Sequence, residues 1–291
     1  MLLFFALLAC ALALAGSQPN PRPVIGILSL PNDEWPSNGR SQFPASYVKF
    51  LEAGGSRVVP IPFDLSPAAL STLLSQLNGA LFTGGAAAFT TPSGALSQYA
   101  RTASAIFNES VAAAGAGETW PLWGTCLGFE LISFLAAEGS SVLTTGWDSE
   151  NLTAVVDWAP QAAASRLWSS DATRAVFATQ RIAFNAHTQG VAPEAFAAAP
   201  ALASRFTALG TSVDRTGKAF VSTMEGKALP IYATQWHPEK ALFEWPEDWT
   251  EYIPVECATA SCTVPHSATL DPLPTPAPPH TFSSRSTRWM P

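Results

Sequence analysis

The runs RPVIGILSLP, RVVPIPFD and GALFTGG each close on turn residues, and each is separated from the next by a helical stretch. A short apolar run buried on both faces and followed by a helix reads as a strand of a parallel sheet, because the crossover lays its helix on a face of that sheet. The intervening stretches mark their own ends. Ser66-Pro67 supplies an N-cap and a proline at the first helical position, after which Leu70, Leu73, Leu74 and Leu77 share one face. FPASYVKFLEAGG ends on Gly54-Gly55, the residue type that closes helices. The predicted fold is α/β: a doubly wound, mostly parallel central sheet with helices on both faces. Ligands of such sheets bind beyond the carboxyl ends of the strands.

PLWGTCLGFE, residues 121–130, places a thiol at one such end. Pro121 to Trp123 is predicted as a strand and CLGFELISFLAAEG as a helix stopping at Gly139, so Cys126 falls on the strand-to-helix turn. Gly124 and Gly128 flank it as Gly-x-Cys-x-Gly, the spacing of a nucleophile elbow. Such a strained turn needs neighbours with little side chain, and it thrusts the nucleophile out of the sheet. N–H groups at the start of the helix, Leu127 first, favour the thiolate and can receive an oxyanion. The alternative is a buried, inert core cysteine, a common fate of free thiols.

A thiolate needs a base. Of the four histidines, His266 and His280 lie in the C-terminal tail, which leaves His187 and His237. In IYATQWHPEK, Ile231 to Trp236 reads as another buried strand, so His237 also emerges at a carboxyl end. Pro238 keeps His237 extended. Residues two apart in an extended segment project to the same side, so Glu239 can reach back to orient the ring. Cys126, His237 and Glu239 then suit the roles of nucleophile, base and orienter. The plain alternative for either His or Glu alone is a surface residue.

MLLFFALLACALALAGSQ is an apolar run ending in Ala13-Leu14-Ala15, the small-x-small pattern that signal peptidase reads, so residues 1–15 are expected to be a cleaved leader. The run is short for a membrane span, and no stable anchor is expected. Sequons at Asn108 and Asn151 fit the same secretory route as glycosylation sites. With Cys10 gone, Cys126, Cys257 and Cys262 remain; the last two sit together in CATASC and could close a small disulfide loop. A net charge of −7 with no run of basic residues disfavours nucleic acid as a partner. Neither His-Glu-x-x-His nor Gly-x-Gly-x-x-Gly occurs, and no metal or organic cofactor is indicated.

GTCLGFE, STMEG and QWHPEK, together with RPVIGIL, ASYVKFLEAGGSRVVP and GALFTGG, resemble the γ-glutamyl hydrolases, a family of the class I glutamine amidotransferase-like fold. The resemblance runs from about Arg22 to Trp245 and gives an α/β domain over residues 22–246. It implies hydrolysis of γ-glutamyl bonds in folate polyglutamates by a secreted, lysosomal or vacuolar enzyme, with Cys126 as nucleophile, His237 as base and Glu239 at the third position. It also implies that Gly84 and Gly85 lend a backbone N–H to the oxyanion hole. His187, in FNAH, matches a histidine near the substrate, where a cationic or donor side chain would suit glutamate carboxylates. Glu130 and Arg40 are further substrate-binding candidates. Each has an ordinary alternative: an acid on a first helical turn is favoured by the helix dipole, and an exposed Arg usually serves solvation. A homodimer is an assembly the resemblance allows.

After FEWPEDW the family continues into an amphipathic helix that covers the sheet. Here residues 250–291 are rich in Pro, Ser and Thr, a composition expected to be irregular. Loss of the covering helix would leave apolar sheet surface exposed. Two other functions stay open: a glutaminase subunit that hands ammonia to a synthase, and a catalytically inactive secreted relative.

Overall fold

The computed structural model describes residues 20–32, 39–138 and 142–244. The expected leader, the Pro-rich tail, Cys257 and Cys262 lie outside the described residues.

The first strand, β1 (Val24–Leu28), shows why the sheet is central. Alternate side chains of a strand point to opposite faces. Ile25 and Ile27 pack with Tyr47 and Leu81 on one face, whereas Leu28 joins Leu70, Leu74 and Phe82 in the core on the other. A strand apolar on both sides can only lie between two layers.

The chain continues through β2 (Leu30–Pro31), β3 (Ser41–Gln42), helix α1 (Ala45–Ala53), β4 (Arg57–Ile61), α2 (Pro67–Leu74), β5 (Gly79–Phe82), α3 (Gln98–Gly115), β6 (Leu122–Thr125) and α4 (Leu127–Ala136). It then adds β7 (Leu143–Ala154), β8 (Asp157–Trp158), α5 (Asp171–Thr179), β9 (Ala183–Val191), α6 (Pro193–Ala197), α7 (Pro200–Arg205), β10 (Phe206–Val213), β11 (Ala219–Gly226), β12 (Ile231–Thr234) and α8 (Lys240–Phe243). Among the described residues, eight strands form the central sheet in the order β4-β1-β5-β6-β12-β11-β10-β8. The first five of these run parallel, and β11, β10 and β8 extend the sheet antiparallel. β7 and β9 form a separate antiparallel pair. The doubly wound, mostly parallel α/β sheet expected from the sequence is what forms.

Element ends differ from expectation by a few residues. β6 runs on to Thr125 because Gly124 and Thr125 pair with Ala233 and Thr234 of β12. β12 stops at Thr234, where the Gln235 N–H turns to the Ser222 carbonyl. α4 ends at Ala136, short of Gly139. α2 begins as predicted, with Ser66 Oγ accepting the Ala69 N–H. Among the described residues Val213, at 50%, is the exposed large hydrophobic. No helix among them is long and apolar enough to cross a membrane.

Candidate active site

Neighbouring parallel strands end side by side, and β5, β6 and β12 are neighbours. Their carboxyl ends therefore bring together Gly84, Cys126 and His237 from segments far apart in the chain. The Cys126 N–H bonds to the Thr234 carbonyl at 2.9 Å, which ties the thiol-bearing turn to the end of β12. At Gly84 an added Cβ would lie 2.6 Å from His237 Cε1 and 3.2 Å from Cys126 Cβ. Glycine is what lets the two reactive side chains stand this close.

Cys126 has φ 52° and ψ −106°, a conformation unfavourable for a residue with a Cβ. The glycines around it are steric necessities. A Cβ on Gly128 would sit 2.3 Å from the Phe82 carbonyl oxygen, and one on Gly124 would sit 2.6 Å from the Gly128 oxygen. Gly128→Ala should therefore push α4 off the sheet and destabilise the protein by about 1–3 kcal/mol or more. A thermal melt unchanged by that substitution would contradict the packing described. Leu127 opens α4, so its N–H has no partner within the helix. The Cys126 thiol is 5% exposed and faces the Ala186 carbonyl at 3.8 Å.

His237 Nδ1 lies 2.7 Å from Glu239 Oε1. That contact commits Nδ1–H to the carboxylate and leaves Nε2, which has no hydrogen-bond partner among the described residues. The approach is made differently from the extended segment predicted. Glu239 is at φ −72° and ψ −28°, on the turn into α8, and reaches the ring by folding back. Burial pushes the imidazole pKa down, but the charges of Glu239 and Cys126 outweigh it and raise the value to about 10. The imidazolium, with Nδ1 held by Glu239, is thus the form of His237 that this geometry supports at neutral pH.

Around this pair lie side chains whose protonation the sequence does not show. Glu130 is buried, and its Oε1 accepts from Gln235 Nε2 at 3.1 Å. Desolvation raises its pKa to about 8, against the lowering effects of Gln235 and His237. Ionisation favoured by the helix dipole is worth about 1 kcal/mol or less at a helix start, and burial overrides it. His187 is also buried, with Nδ1 2.8 Å from the Gln189 carbonyl and Nε2 unpartnered. Burial lowers its pKa to about 4. The ring is therefore neutral, and with Nδ1–H facing a carbonyl its Nε2 is left as an acceptor.

The other sequence candidates fare variously. The Gly84 N–H is engaged by the Tyr47 hydroxyl at 2.7 Å, and Gly85 has φ +128° with Leu30 Cδ1 filling the place of a Cβ. Arg40 is not drawn into the cluster; it is exposed and pairs with Asp64 at 3.0 Å. Asn108 is exposed on α3, and Asn151 is half-buried with its carbonyl accepting from Arg215. Among the described residues no group of three or more His, Cys, Asp and Glu is arranged to hold a metal ion. Sequence reasoning missed Tyr47, Gln235 and Phe184, the last of which accepts the His237 N–H at 2.8 Å. Of these, only Gln235 carried a signal: an amide inside a run read as a buried strand needs a polar partner.

Residues 23–239 match the family model for peptidase C26. The chain is 37% identical over 233 residues to gamma-glutamyl hydrolase B of Dictyostelium discoideum, a match covering 78% of this chain and 65% of that protein. It is 36% identical over 254 residues to the gamma-glutamyl hydrolase of Mus musculus, covering 84% and 77% respectively. The corresponding human protein is 35% identical over 255 residues, again with 84% and 77% covered.

Proposed function

The chain belongs to the peptidase C26 family, and from that premise we propose that it hydrolyses γ-glutamyl amide bonds through a Cys126 thioester, with folate polyglutamates as substrates. The observation that carries the reading is the meeting of Cys126 with the His237–Glu239 pair at the ends of β6 and β12. The thiolate attacks the γ-carbonyl carbon, a C–S bond forms, and the carbonyl π pair moves to oxygen. That oxyanion faces the Leu127 N–H, with the Gly85 N–H as second donor while Tyr47 occupies Gly84. As the C–N bond breaks, His237 Nε2–H protonates the leaving amine. Neutral His237 then takes a proton from the water that attacks the thioester, which releases the γ-carboxylate and restores the thiolate. Glu239 keeps Nδ1 protonated throughout, so that Nε2 is the nitrogen that exchanges protons. The leader-like run and the two sequons go with a secreted, lysosomal or vacuolar enzyme.

Purified protein should release glutamate or short γ-glutamyl peptides from folate polyglutamate while leaving α-linked glutamyl peptides intact. Cleavage of glutamine alone would instead mark a glutaminase, and cleavage of nothing an inactive relative.

Glu130 gives a pH prediction. Below about 8 its carboxyl is neutral and adds no charge beside an anionic glutamyl chain; above that it ionises. KM should therefore rise as pH passes through about 8. Glu130→Gln should flatten that rise, and a KM equally steep in both proteins would remove Glu130 from substrate recognition.

A further inference from the structure

Two neighbouring side chains in the first turn of α1 touch the machinery around His237. The Tyr47 hydroxyl accepts the Gly84 N–H at 2.7 Å and lies 3.4 Å from His237 Nδ1. Ser46 Oγ lies 2.5 Å from Glu244 Oε1, and Lys240 Nζ holds the other oxygen of Glu244 at 2.5 Å. Ser46 and Tyr47 are both buried, at 5% and 1% exposure. We infer that this turn of α1 is a positioning element of the site: Tyr47 fixes the imidazole against the Gly84–Gly85 loop, and the Ser46–Glu244 contact fixes the turn on which the imidazole stands. For its reaction the inference rests on the γ-glutamyl hydrolase reading; for its geometry it does not.

His237 needs such support because it stands on an irregular segment between β12 and a helix of only four residues. Its backbone is tied by the bond to Phe184, and the rest of the segment must be held by side chains. A tyrosine hydroxyl has one proton and two lone pairs. One lone pair takes the Gly84 N–H, so the phenol oxygen is fixed relative to the loop. Nδ1–H is already given to Glu239 at the shorter distance, so the phenol acts on the ring by contact and dipole. Its proton stays in place: burial first, then the charges of Glu239 and Cys126, hold the phenol well above its ordinary pKa. Tyr47 thus links the loop after β5 to the imidazole after β12 without itself reacting.

Glu244 contributes charge as well as anchorage. The groups that bear on His237 are Glu239 on its own turn, Glu244 beyond α8, Tyr47 from α1, Cys126 from the turn between β6 and α4, Glu130 from α4, and His187 from β9. Burial works against ionisation of Glu244, but Lys240 and Ser46 bond to its carboxylate and hold it below the ordinary value. It is therefore a fixed negative charge outside the Cys126–His237–Glu239 set that favours the imidazolium.

The test uses the full chain and two readouts: kcat and KM on a γ-glutamyl chain, and the pH profile of Cys126 alkylation by iodoacetamide, which needs no substrate. Tyr47→Phe should lower kcat about tenfold with KM within about twofold, because misplacing a reacting group costs rate rather than binding. Ser46→Ala, a milder change than Tyr47→Phe, should lower kcat in the same direction with KM unmoved. Glu244→Gln should shift the upper inflection of the labelling profile, where the imidazolium loses its proton, to lower pH. Wild-type kcat in both Tyr47→Phe and Ser46→Ala, or an unmoved inflection in Glu244→Gln, overturns the inference. If wild-type protein cleaves no γ-glutamyl chain, the functional reading fails, and the labelling profile of Glu244→Gln still decides the positioning role.

Discussion

Cys126→Ala is expected to abolish γ-glutamyl hydrolysis, with kcat falling by roughly four to six orders of magnitude. Amide cleavage through a thioester has no route once the sulfur is gone, and the neighbouring N–H donors can stabilise only an intermediate that no longer forms. The fold should survive the change. Alanine keeps the Cβ that the turn at φ 52° already carries, and the loss is one sulfur at a site that is 5% exposed. A melting curve close to wild type, together with activity below detection, is the expected pair of results. Retained turnover in a homogeneous Cys126→Ala preparation would remove the covalent mechanism.

His237→Gln should be almost as damaging, lowering kcat about 10⁴-fold, and it carries a second readout in the thiol itself. In wild type the imidazolium stands beside Cys126 and is raised to a pKa of about 10 despite its burial, because Glu239 and the thiolate outweigh desolvation. Removing it leaves the thiolate with only the start of α4 to stabilise it. Alkylation of Cys126 at neutral pH should then slow by about tenfold or more. Glutamine is the better replacement for a physical reason. Glu239 is fully buried, and alanine would strand its charge without a donor, which costs about 3–5 kcal/mol when one partner of a buried pair is removed. A labelling rate in His237→Gln equal to wild type would show that the imidazole does not activate the thiol.

The order of the elements could be read from the chain because it is written in short-range terms. Ser66 caps α2, Gly54 and Gly55 close α1, and the β1 run is apolar on both faces; each is a choice that sterics and periodicity make within a few residues. The elbow at Cys126 belongs to the same class, since its requirement for glycine on either side is local. The reach of Glu239 to His237 is only partly so. Their separation by two residues was visible, but an extended segment and a turn both bring residues two apart together, and the packing of α8 against α1 selected the turn.

The α/β alternation, the strained thiol at a strand end and the pairing of a histidine with a nearby acid are therefore written in the chain. Which protons these groups hold, and what fixes them, depends on the packed fold. Nothing in the run ASYVKFLEAGG singles out Tyr47, yet its hydroxyl meets a glycine 37 residues away and a histidine 190 residues away. Glu130 looks like an ionised acid at a helix start and is neutral to about 8, while His187, matched to a place that suits a cation or a donor, is neutral above about 4. The reason is common to all three. Backbone conformation follows from sterics between near neighbours, whereas desolvation and hydrogen-bond partners are set by segments that only the finished fold brings together.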